Sequence, residues 1–292
     1  MSRKNASCSI LLLLICCASL AVPASAQHFN QVTGTLTSVA AGRNEVFGLD
    51  THSAVWRYKA STKSFVKIPG SLAQIAVGGG TLSQRDQIWG INANGNVFRF
   101  NYGTTQFGQI SGVLSQIAVG EGTQDNCHPY EVWGVNASDG IFRYDFCNNQ
   151  FDQTSGLLTQ VATGGGDVWG LNSSGNIFHF DFASKSFVSV PGTLVQITVG
   201  VNDVWGINGS NQIFRYDPST GKFPQIGGTL GQIAAGGDGA WGVNLADGIF
   251  RFDPSSTSWV QVTGSLKNIA VGSGAGVFGV NSSDKVFTFV RP

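Results

Sequence analysis

A short motif recurs seven times along the chain, and its spacing constrains the fold more than any other feature of the sequence. Each copy has an apolar residue, an aromatic residue and a glycine, with the aromatic at Phe47, Trp89, Trp133, Trp169, Trp205, Trp241 and Phe278. Successive copies are 42, 44, 36, 36, 36 and 37 residues apart. Repeats of about 20–50 residues are typical of solenoids and propellers, whose units bury their apolar faces only against their neighbours. The chain is therefore expected to fold as one body of seven stacked units.

Each repeat contains four extended runs separated by residues that favour turns. In the third repeat the runs are Leu114–Gly120, Glu131–Asn136, Gly140–Asp145 and Gln150–Thr154. Pairs such as Asn94-Gly95 lie between the second and third runs, and they are strong signals for a β-hairpin. Forty glycines and the absence of a helical period fit many short strands. The sequence therefore predicts an all-β, seven-bladed β-propeller of four-stranded antiparallel blades.

The two ends of the repeated region complement each other. Residues Phe29 to Thr33 read as a fourth run, whereas the chain finishes with a third run, Phe287 to Val290, that has no fourth run after it. We expect the amino-terminal strand to join the last blade and so close the ring, which removes exposed sheet edges. The predicted blades comprise 34–69, 70–111, 112–155, 156–191, 192–227, 228–263, and 264–292 with 29–33.

The amino terminus has the pattern of an export signal. Arg3 and Lys4 precede an apolar stretch from Ile10 to Val22, and Ala24-Ser25-Ala26 supplies small residues before a cut at Gln27. The apolar stretch is shorter than the roughly 20 residues that cross a bilayer as a helix. We predict a signal peptide over residues 1–26 and a secreted propeller over residues 27–292, extracellular or, in a bacterium, periplasmic. The formal net charge of zero disfavours nucleic acid as a partner, and no membrane insertion is expected.

Two long insertions lie between first and second runs, at Gly78 to Gln87 and at Gly120 to Glu131, so they are expected on the same face of the disc. Cys127 in the second insertion and Cys147 in the same repeat are the cysteines that remain after residue 26. In an exported chain such a pair predicts a disulfide. Two cysteines and the adjacent His128 are too few ligands for a zinc site, and we expect neither metal nor cofactor.

The repeated sequence resembles the tectonin repeat. The pattern that carries the resemblance is Phe-x-x-Ile-x-Gly-x-Leu-x-x-Ile-Ala-Val-Gly, followed by Val-Trp-Gly-Val-Asn and Ile-Phe-Arg-Tyr-Asp, and it extends over residues 29–292. The resemblance implies a secreted or surface β-propeller lectin that recognises glycans without cleaving them. The partners it implies are microbial or cell-surface glycans, with amino sugars, methylated sugars and lipopolysaccharide as candidates.

A polar residue ends the second run of every repeat and is the main candidate for sugar binding. These residues are Asp50, Asn92, Asn136, Asn172, Asn208, Asn244 and Asn281. Sugars are bound by amide and carboxylate groups together with an aromatic ring under the pyranose. The aromatic candidates are Trp89, Trp133, Trp169, Trp205 and Trp241. The alternative is a structural interpretation, in which the amides cap turns and the indoles fill the space between blades, and this is the more common role of such residues.

A second repeated position carries arginine near the end of the third run, at Arg57, Arg99, Arg143, Arg215 and Arg251, with His179 and Thr288 in the remaining copies. These arginines could bind an acidic ligand, but we expect them to stack on a ring or to pair with Asp145, Asp217 or Asp253. Four of the asparagines also begin N-glycosylation sequons, at 136, 172, 208 and 281.

Three classes of function remain open on the sequence. A multivalent lectin with shallow sites between blades is the leading hypothesis, because weak sites repeated on a ring gain avidity for a dense glycan surface. A protein-interaction scaffold that uses one face or the two insertions is the alternative. The sequence has no Gly-x-Ser-x-Gly or His-Glu-x-x-His motif, so an enzyme with its site on the central axis is the least favoured class and no catalytic residue is predicted.

Overall fold

The structure, a computed structural model, describes residues 28–290 except for the side chains of residues 123 and 124. The predicted signal peptide at residues 1–26 lies outside this part of the chain. Four-stranded antiparallel sheets are arranged as seven blades around a central channel, and their inner strands line it. The predicted all-β, seven-bladed propeller is confirmed. Nowhere between residues 28 and 290 is there a helix long and apolar enough to cross a membrane.

The strands are numbered in chain order. From the second strand onward, the successive strands of each blade are called inner, second, third and outer, and the last blade contributes three such strands. Their bounds are β1 (His28–Thr35), β2 (Ser38–Ala41), β3 (Val46–Leu49), β4 (Ala54–Lys59), β5 (Ser64–Ser71), β6 (Gln74–Gly78), β7 (Gln87–Ile91), β8 (Asn96–Asn101), β9 (Gln106–Val113), β10 (Gln116–Asp125), β11 (His128–Val135), β12 (Gly140–Asp145), β13 (Gln150–Leu157), β14 (Gln160–Gly164), β15 (Asp167–Leu171), β16 (Asn176–Asp181), β17 (Ser186–Thr193), β18 (Gln196–Val199), β19 (Val204–Ile207), β20 (Gln212–Arg215), β21 (Gln225–Thr229), β22 (Gln232–Gly236), β23 (Gly239–Val243), β24 (Gly248–Asp253), β25 (Ser258–Ser265), β26 (Asn268–Val271), β27 (Val277–Val280) and β28 (Lys285–Val290).

The first strand lies beside the last one. β1 pairs antiparallel with β28, from His28 opposite Val290 to Val32 opposite Val286. It also makes one parallel bridge to the outer strand of the first blade and one to that of the sixth. Val32 belongs to a hydrophobic cluster that contains Phe65 of the first blade and Phe278 of the seventh. Through these contacts, β1 lies between β28 of the seventh blade and β5 of the first blade.

Adjacent blades are held together by a repeated pair of aromatic rings. The aromatic residue of each second strand packs against an aromatic residue that lies in, or directly after, the third strand of the next blade. The pairs are Phe47–Phe100, Trp89–Tyr144, Trp133–Phe180, Trp169–Tyr216, Trp205–Phe252, Trp241–Phe289 and Phe278–Tyr58, with ring centroids 4.6–5.3 Å apart. Such edge-on pairs add to the free energy of burying large aromatic surfaces. This layer explains why the aromatic recurs with the period of the blade.

The glycine after each of these aromatics is required by close packing. A Cβ atom on Gly134 would lie 2.4 Å from Leu114 Cδ1 and 2.8 Å from the carbonyl oxygen of Gln116. The leucine side chain therefore occupies the space that any larger residue at this position would need. The same contact recurs in every blade, which accounts for the aromatic-glycine pair in the motif.

The blade boundaries predicted from the sequence fall two residues before the ends of the outer strands. In the third blade Gly140 is opposite Leu157 but Ile141 is opposite Thr154, so the outer strand contains a bulge. Gly156 lies in this bulge at φ +106°, a conformation that favours glycine. The outer strand resumes pairing after the bulge, and it therefore ends at Leu157 rather than at residue 155.

Side-chain amides link the inner strands of adjacent blades, a feature that the sequence analysis did not identify. Gln116 Nε2 donates to the carbonyl oxygen of Val161 at 2.9 Å, and the N–H of Val161 donates to Gln116 Oε1 at 3.0 Å. Equivalent amide bridges are made by Gln74, Gln160, Gln196 and Gln232. They satisfy backbone groups that would otherwise face the interface between two separate sheets.

The two insertions are built differently. In the second one, β10 and β11 continue as a hairpin that reaches Asp125 opposite His128. The predicted disulfide is confirmed, and Cys127 is joined to Cys147 with their Cα atoms 4.9 Å apart. The first insertion is anchored by Asp86, whose buried carboxylate accepts hydrogen bonds from the backbone N–H groups of Arg43, Asn44, Glu45 and Gly80.

Candidate functional site

The turns between second and third strands lie on one face of the disc, together with the connections from outer to inner strands. We call this surface the amide face, and define it by the seven candidate residues Asp50, Asn92, Asn136, Asn172, Asn208, Asn244 and Asn281. The opposite surface carries both insertions and is called the insertion face. All seven predicted polar residues are therefore brought to the same side of the molecule.

Each of the seven side chains caps its own turn. Asn136 Oδ1 accepts hydrogen bonds from the backbone N–H groups of Ser138 at 3.0 Å and Gly140 at 2.9 Å. The other six make the same two bonds to the residues two and four positions later. The residue three positions later has a positive φ, as in Asp139 at +62°, because the hairpin turn requires it. The structural interpretation of these residues is thus correct, and their Oδ1 atoms are already occupied.

The five predicted tryptophans do not reach the amide face. Trp89, Trp133, Trp169, Trp205 and Trp241 are 0–1% exposed, and each is enclosed between two blades. They lie near the start of the second strand, on the side of the insertion face. Three of the indoles donate to the acidic residue two positions before them, for example Trp133 to Glu131. A ring without an exposed surface gives a pyranose nothing to stack on, so these five residues are left out of the site.

Grooves between neighbouring blades open on the amide face instead. One lies between the second and third blades, has a volume of about 500 Å³ and is lined by Asn92, Val113 and Ala137. Another, of about 250 Å³, lies between the fifth and sixth blades and is lined by Asn211, Asn244, Leu245 and Ala246. Both are shallow and open, and both combine a turn amide with an exposed aliphatic side chain. Val113 is 60% exposed and Leu245 is 79% exposed.

The largest of these grooves lies between the seventh and first blades. Its volume is about 800 Å³, and Asp50, Trp56 and Lys285 are among the residues that line it. Trp56 Nε1 donates a hydrogen bond to Asp50 Oδ2 at 2.9 Å. Burial acts to raise the pKa of Asp50, but the hydrogen bonds from Trp56, Ala54 and His52 outweigh burial and keep that pKa below its usual range. Trp56 was not among the sequence candidates, although it occupies a position where the other repeats have phenylalanine.

The repeated arginines form a layer on the insertion face. Arg143 pairs with the buried carboxylate of Glu131 and lies over the ring of Trp133. Arg57 pairs with Glu45 and Arg215 with Asp203 in the same way, and Arg99 donates to Gln87. The expected stacking is therefore seen, but the expected pairing with Asp145, Asp217 and Asp253 is wrong. Those aspartates instead accept hydrogen bonds within the turns between third and outer strands.

In the fourth blade, a histidine and an aspartate replace the arginine and the carboxylate of this pair. His179 Nε2 lies 2.6 Å from Asp167 Oδ1, and its ring stacks on Trp169 at 4.4 Å between centroids. Burial acts to raise the pKa of Asp167, but the hydrogen bonds from His179 and Trp169 leave that pKa below its ordinary value. The pair occupies the same place as Arg143 and Glu131, so its role is to connect the second and third strands.

Few polar or ionisable side chains line the central channel. It has a volume of about 310 Å³ and is lined mainly by alanine, valine and glycine of the inner strands. Glu121 is the one ionisable side chain among the described residues that line it. Hydrolysis of glycosidic bonds ordinarily uses two carboxyl groups on opposite sides of the scissile bond. The described channel residues do not form such a pair.

The fold and the grooves define the class of molecule, a β-propeller with repeated depressions between its blades. The model of the tectonin domain matches residues 18–183 and 157–291, so the chain belongs to the tectonin family and the resemblance seen in the sequence is confirmed. No curated protein is significantly similar to it in sequence.

Solved structures share the fold at low sequence identity. The β-propeller domain of Cps50 (Swd1) from Myceliophteria thermophila is 10% identical, with a TM-score of 0.70 over 91% of this chain and 100% of that one. YCF48 bound to D1 peptide is 11% identical, with a TM-score of 0.66 over 91% and 97% of the two chains. Human WBSCR16 is also 11% identical, with a TM-score of 0.66 over 89% and 88%. These similarities support the propeller fold alone.

Proposed function

We propose that this protein is a secreted lectin that binds glycans through the grooves between blades on its amide face. The observation that carries the proposal is the recurrence of one kind of groove at three places on one surface. Each groove has a polar turn residue together with an exposed aliphatic or a half-buried aromatic side chain. Carbohydrates need polar groups for their hydroxyls and an apolar surface for the face of the pyranose ring. Membership of the tectonin family and the export signal predicted at residues 1–26 agree with this function.

The capping role of the asparagines defines what they can offer a sugar. Their Oδ1 atoms are used by the turn, whereas Nδ2 remains a donor at those positions where no partner is formed within the turn. Asn208 is different, because its Nδ2 donates to Gln212 Oε1 at 2.8 Å. Each groove would thus supply few directed hydrogen bonds and bind a monosaccharide weakly. Several weak sites on one rigid ring give avidity toward a surface that displays many glycans.

Blocking the grooves tests this proposal. Ala137 and Ala246 are exposed, line the two grooves that contain Asn92 and Asn244, and have an ordinary backbone conformation. We expect A137W and A246W to fold normally and to lower binding on a glycan array, with a larger loss in the double variant. Ala183, an exposed turn residue on the insertion face, is the matched control, and A183W should bind as the wild type does. A folded wild type that binds no glycan, or a loss confined to A183W, would contradict the proposal.

A scaffold on the insertion face is the second candidate, and one observation favours it. Leu82 is 93% exposed in the first insertion, which Asp86 ties to the first blade and Tyr102 holds through a 2.9 Å hydrogen bond to the carbonyl oxygen of Asp86. An apolar side chain on an anchored loop is suited to a pocket of a partner protein. L82D keeps the anchor intact and should abolish capture of such a partner. The same variant should leave glycan binding on the amide face unchanged.

A further inference from the structure

The groove between the seventh and first blades differs from the others at two positions at once. Asp50 replaces the asparagine of the other six blades. Trp56 replaces a phenylalanine, because the residue opposite the glycine of the second strand is Phe98, Phe142, Phe178, Phe214, Phe250 or Phe287 elsewhere. The two replacements are in contact through the hydrogen bond from Trp56 Nε1 to Asp50 Oδ2. Nothing in the closure of the turn requires this pair, since an amide caps the same turn in six blades.

We propose that this groove is the principal carbohydrate site of the molecule, and that it takes a neutral pyranoside whose adjacent hydroxyls are held by Asp50 and whose apolar ring face lies on Trp56. The inference rests on the proposed lectin function and specifies which groove dominates and what it recognises. The molecule then has one stronger site in this groove and weaker sites in the other grooves, instead of a set of equivalent sites.

The carboxylate has capacity left for a ligand. Asp50 Oδ1 accepts from the backbone N–H groups of His52 at 2.8 Å and Ala54 at 3.0 Å, and Oδ2 accepts from Trp56 alone. An ionised carboxylate has about four acceptor positions, so one lone pair on Oδ2 remains for a hydroxyl donor. None of the ion pairs between described residues involves Asp50. Hydrogen bonds to a charged acceptor are stronger than those to an amide, which favours this groove over the others.

The indole lines the groove and is held there by a hydrogen bond. Trp56 is half-buried, whereas the five tryptophans between blades are 0–1% exposed. Its Nε1 is fixed by Asp50, so the ring is held in one orientation before a ligand arrives. A ring held in advance loses little rotamer entropy on binding. The groove is also the most spacious of the three, at about 800 Å³ against about 500 and 250 Å³.

The charges in the groove favour a neutral ligand over a charged one. Asp50 and Lys285 both line it, and their formal charges cancel. An ammonium group on the ligand would gain from Asp50 but would be repelled by Lys285, and a carboxylate would meet the reverse. Hydroxyl groups can donate to the carboxylate and accept from the ammonium group without either penalty.

The chain itself provides the variants that test the proposal. D50N and W56F, made together, give the first blade the residues that six other blades carry, so the turn and the third strand should form as they do there. We expect the double variant to bind the best of three methyl pyranosides, those of mannose, galactose and glucose, about tenfold more weakly, as the loss of a hydrogen bond to a charged acceptor implies. A183W, at an exposed position on the insertion face, is the control, and it should leave this binding constant unchanged.

A signal from the site itself distinguishes the possible outcomes. The mature protein has seven tryptophans, and the indole N–H resonance that is missing in W56F belongs to Trp56. In the wild type we expect this resonance to shift when a methyl pyranoside is titrated. Binding that leaves the Trp56 resonance and the D50N/W56F affinity unaltered would overturn this inference while leaving the lectin proposal in place. Stronger binding of methyl 2-amino-2-deoxyglucopyranoside than of the neutral glucoside would overturn the ligand class. Failure of the wild type on the glycan array would remove both proposals.

Discussion

At the scale of single residues, the aromatic at the start of the second strand is the main source of cohesion between blades. Trp169 is fully buried, stacks on His179 of its own blade and packs edge-on against Tyr216 and Phe223 of the next. Its Nε1 also donates to Asp167 at 2.8 Å. This one side chain therefore buries apolar surface between two blades and also donates the hydrogen bond that Asp167 accepts.

We expect Trp169→Ala to lower the free energy of unfolding by about 3–5 kcal/mol, because it leaves a cavity between two blades that cannot collapse. Urea unfolding followed by circular dichroism measures the change. Trp169→Phe is the matched control, since Phe47 and Phe278 occupy this position in the first and seventh blades, and it should cost clearly less. Asn172→Ala removes a cap rather than a core side chain and should cost about 1 kcal/mol. Equal losses for Trp169→Ala and Asn172→Ala would contradict the distinct roles given to the two residues.

The sequence identified these residues, but it could not show which of them hold the blades together and which cap the turns. Periodicity placed the tryptophans and the asparagines three residues apart in the same strand, and chemistry allowed both to bind sugar. The strand runs from the insertion face to the amide face, and this direction alone separates a buried indole near its start from a partly exposed amide just after its end. Trp56 was overlooked because its position carries phenylalanine in the other six repeats and was not considered for binding. The signal that could have revealed it is the change from asparagine to Asp50 in the same repeat.

At the scale of elements, the hairpin of β10 and β11 is the least repetitive part of the propeller. It extends beyond the inner strands of the other blades, and its tip at Cys127 is joined to the turn after β12 by the bond to Cys147. The backbone N–H of Phe146 also donates to the carbonyl oxygen of Cys127 at 2.9 Å. The sequence predicted the bond but not the paired strands, because this segment has no clear alternation of apolar and polar residues.

Replacing both cysteines by serine should lower the free energy of unfolding by up to about 3 kcal/mol, the loss that the loop-entropy model gives for a cross-link between residues 20 positions apart. Thermal unfolding of C127S/C147S, with and without a reductant, measures the effect. The wild type should lose the same stability when reduced, whereas the variant should not respond to the reductant. A variant as stable as the oxidised wild type would show that the hairpin needs no cross-link.

Other elements were beyond prediction because they depend on the exact pairing of strands, within one blade or between two. The bulge near Gly156 and the amide bridge from Gln116 to Val161 are invisible in a single repeat read by itself. Glycine and glutamine recur at these positions in most copies, but recurrence does not reveal which partner strand lies opposite. The element types and their order were predicted because turn residues and apolar runs are local properties of the sequence.

At the scale of the whole molecule, the propeller depends on acid groups that stabilise the folded state when ionised. Backbone hydrogen bonds from Asn148 and Cys147 hold the pKa of Asp145 below its usual value. The pKa values of Asp50 and Asp167 are lowered as well, by the hydrogen bonds described above. A lowered pKa means that the unfolded state binds protons more readily than the folded state.

The stability that these groups contribute is therefore present above the ordinary aspartate pKa of about 4 and is lost as the pH falls through the lower pKa values of the folded state. We expect the melting temperature to be nearly constant from pH 8 to pH 5 and to drop steeply below about pH 4. Differential scanning calorimetry across this range tests the sign. D145N should be less stable than the wild type at pH 7 and should converge with it in acid. A melting temperature that rises on acidification would contradict the assignment.

The measurement that most directly tests the central claim is a crystal structure of the mature protein soaked with the tightest-binding pyranoside. The account predicts electron density for the sugar in the grooves of the amide face, strongest beside Asp50 and Trp56. Density confined to the central channel or to the insertion face would contradict it.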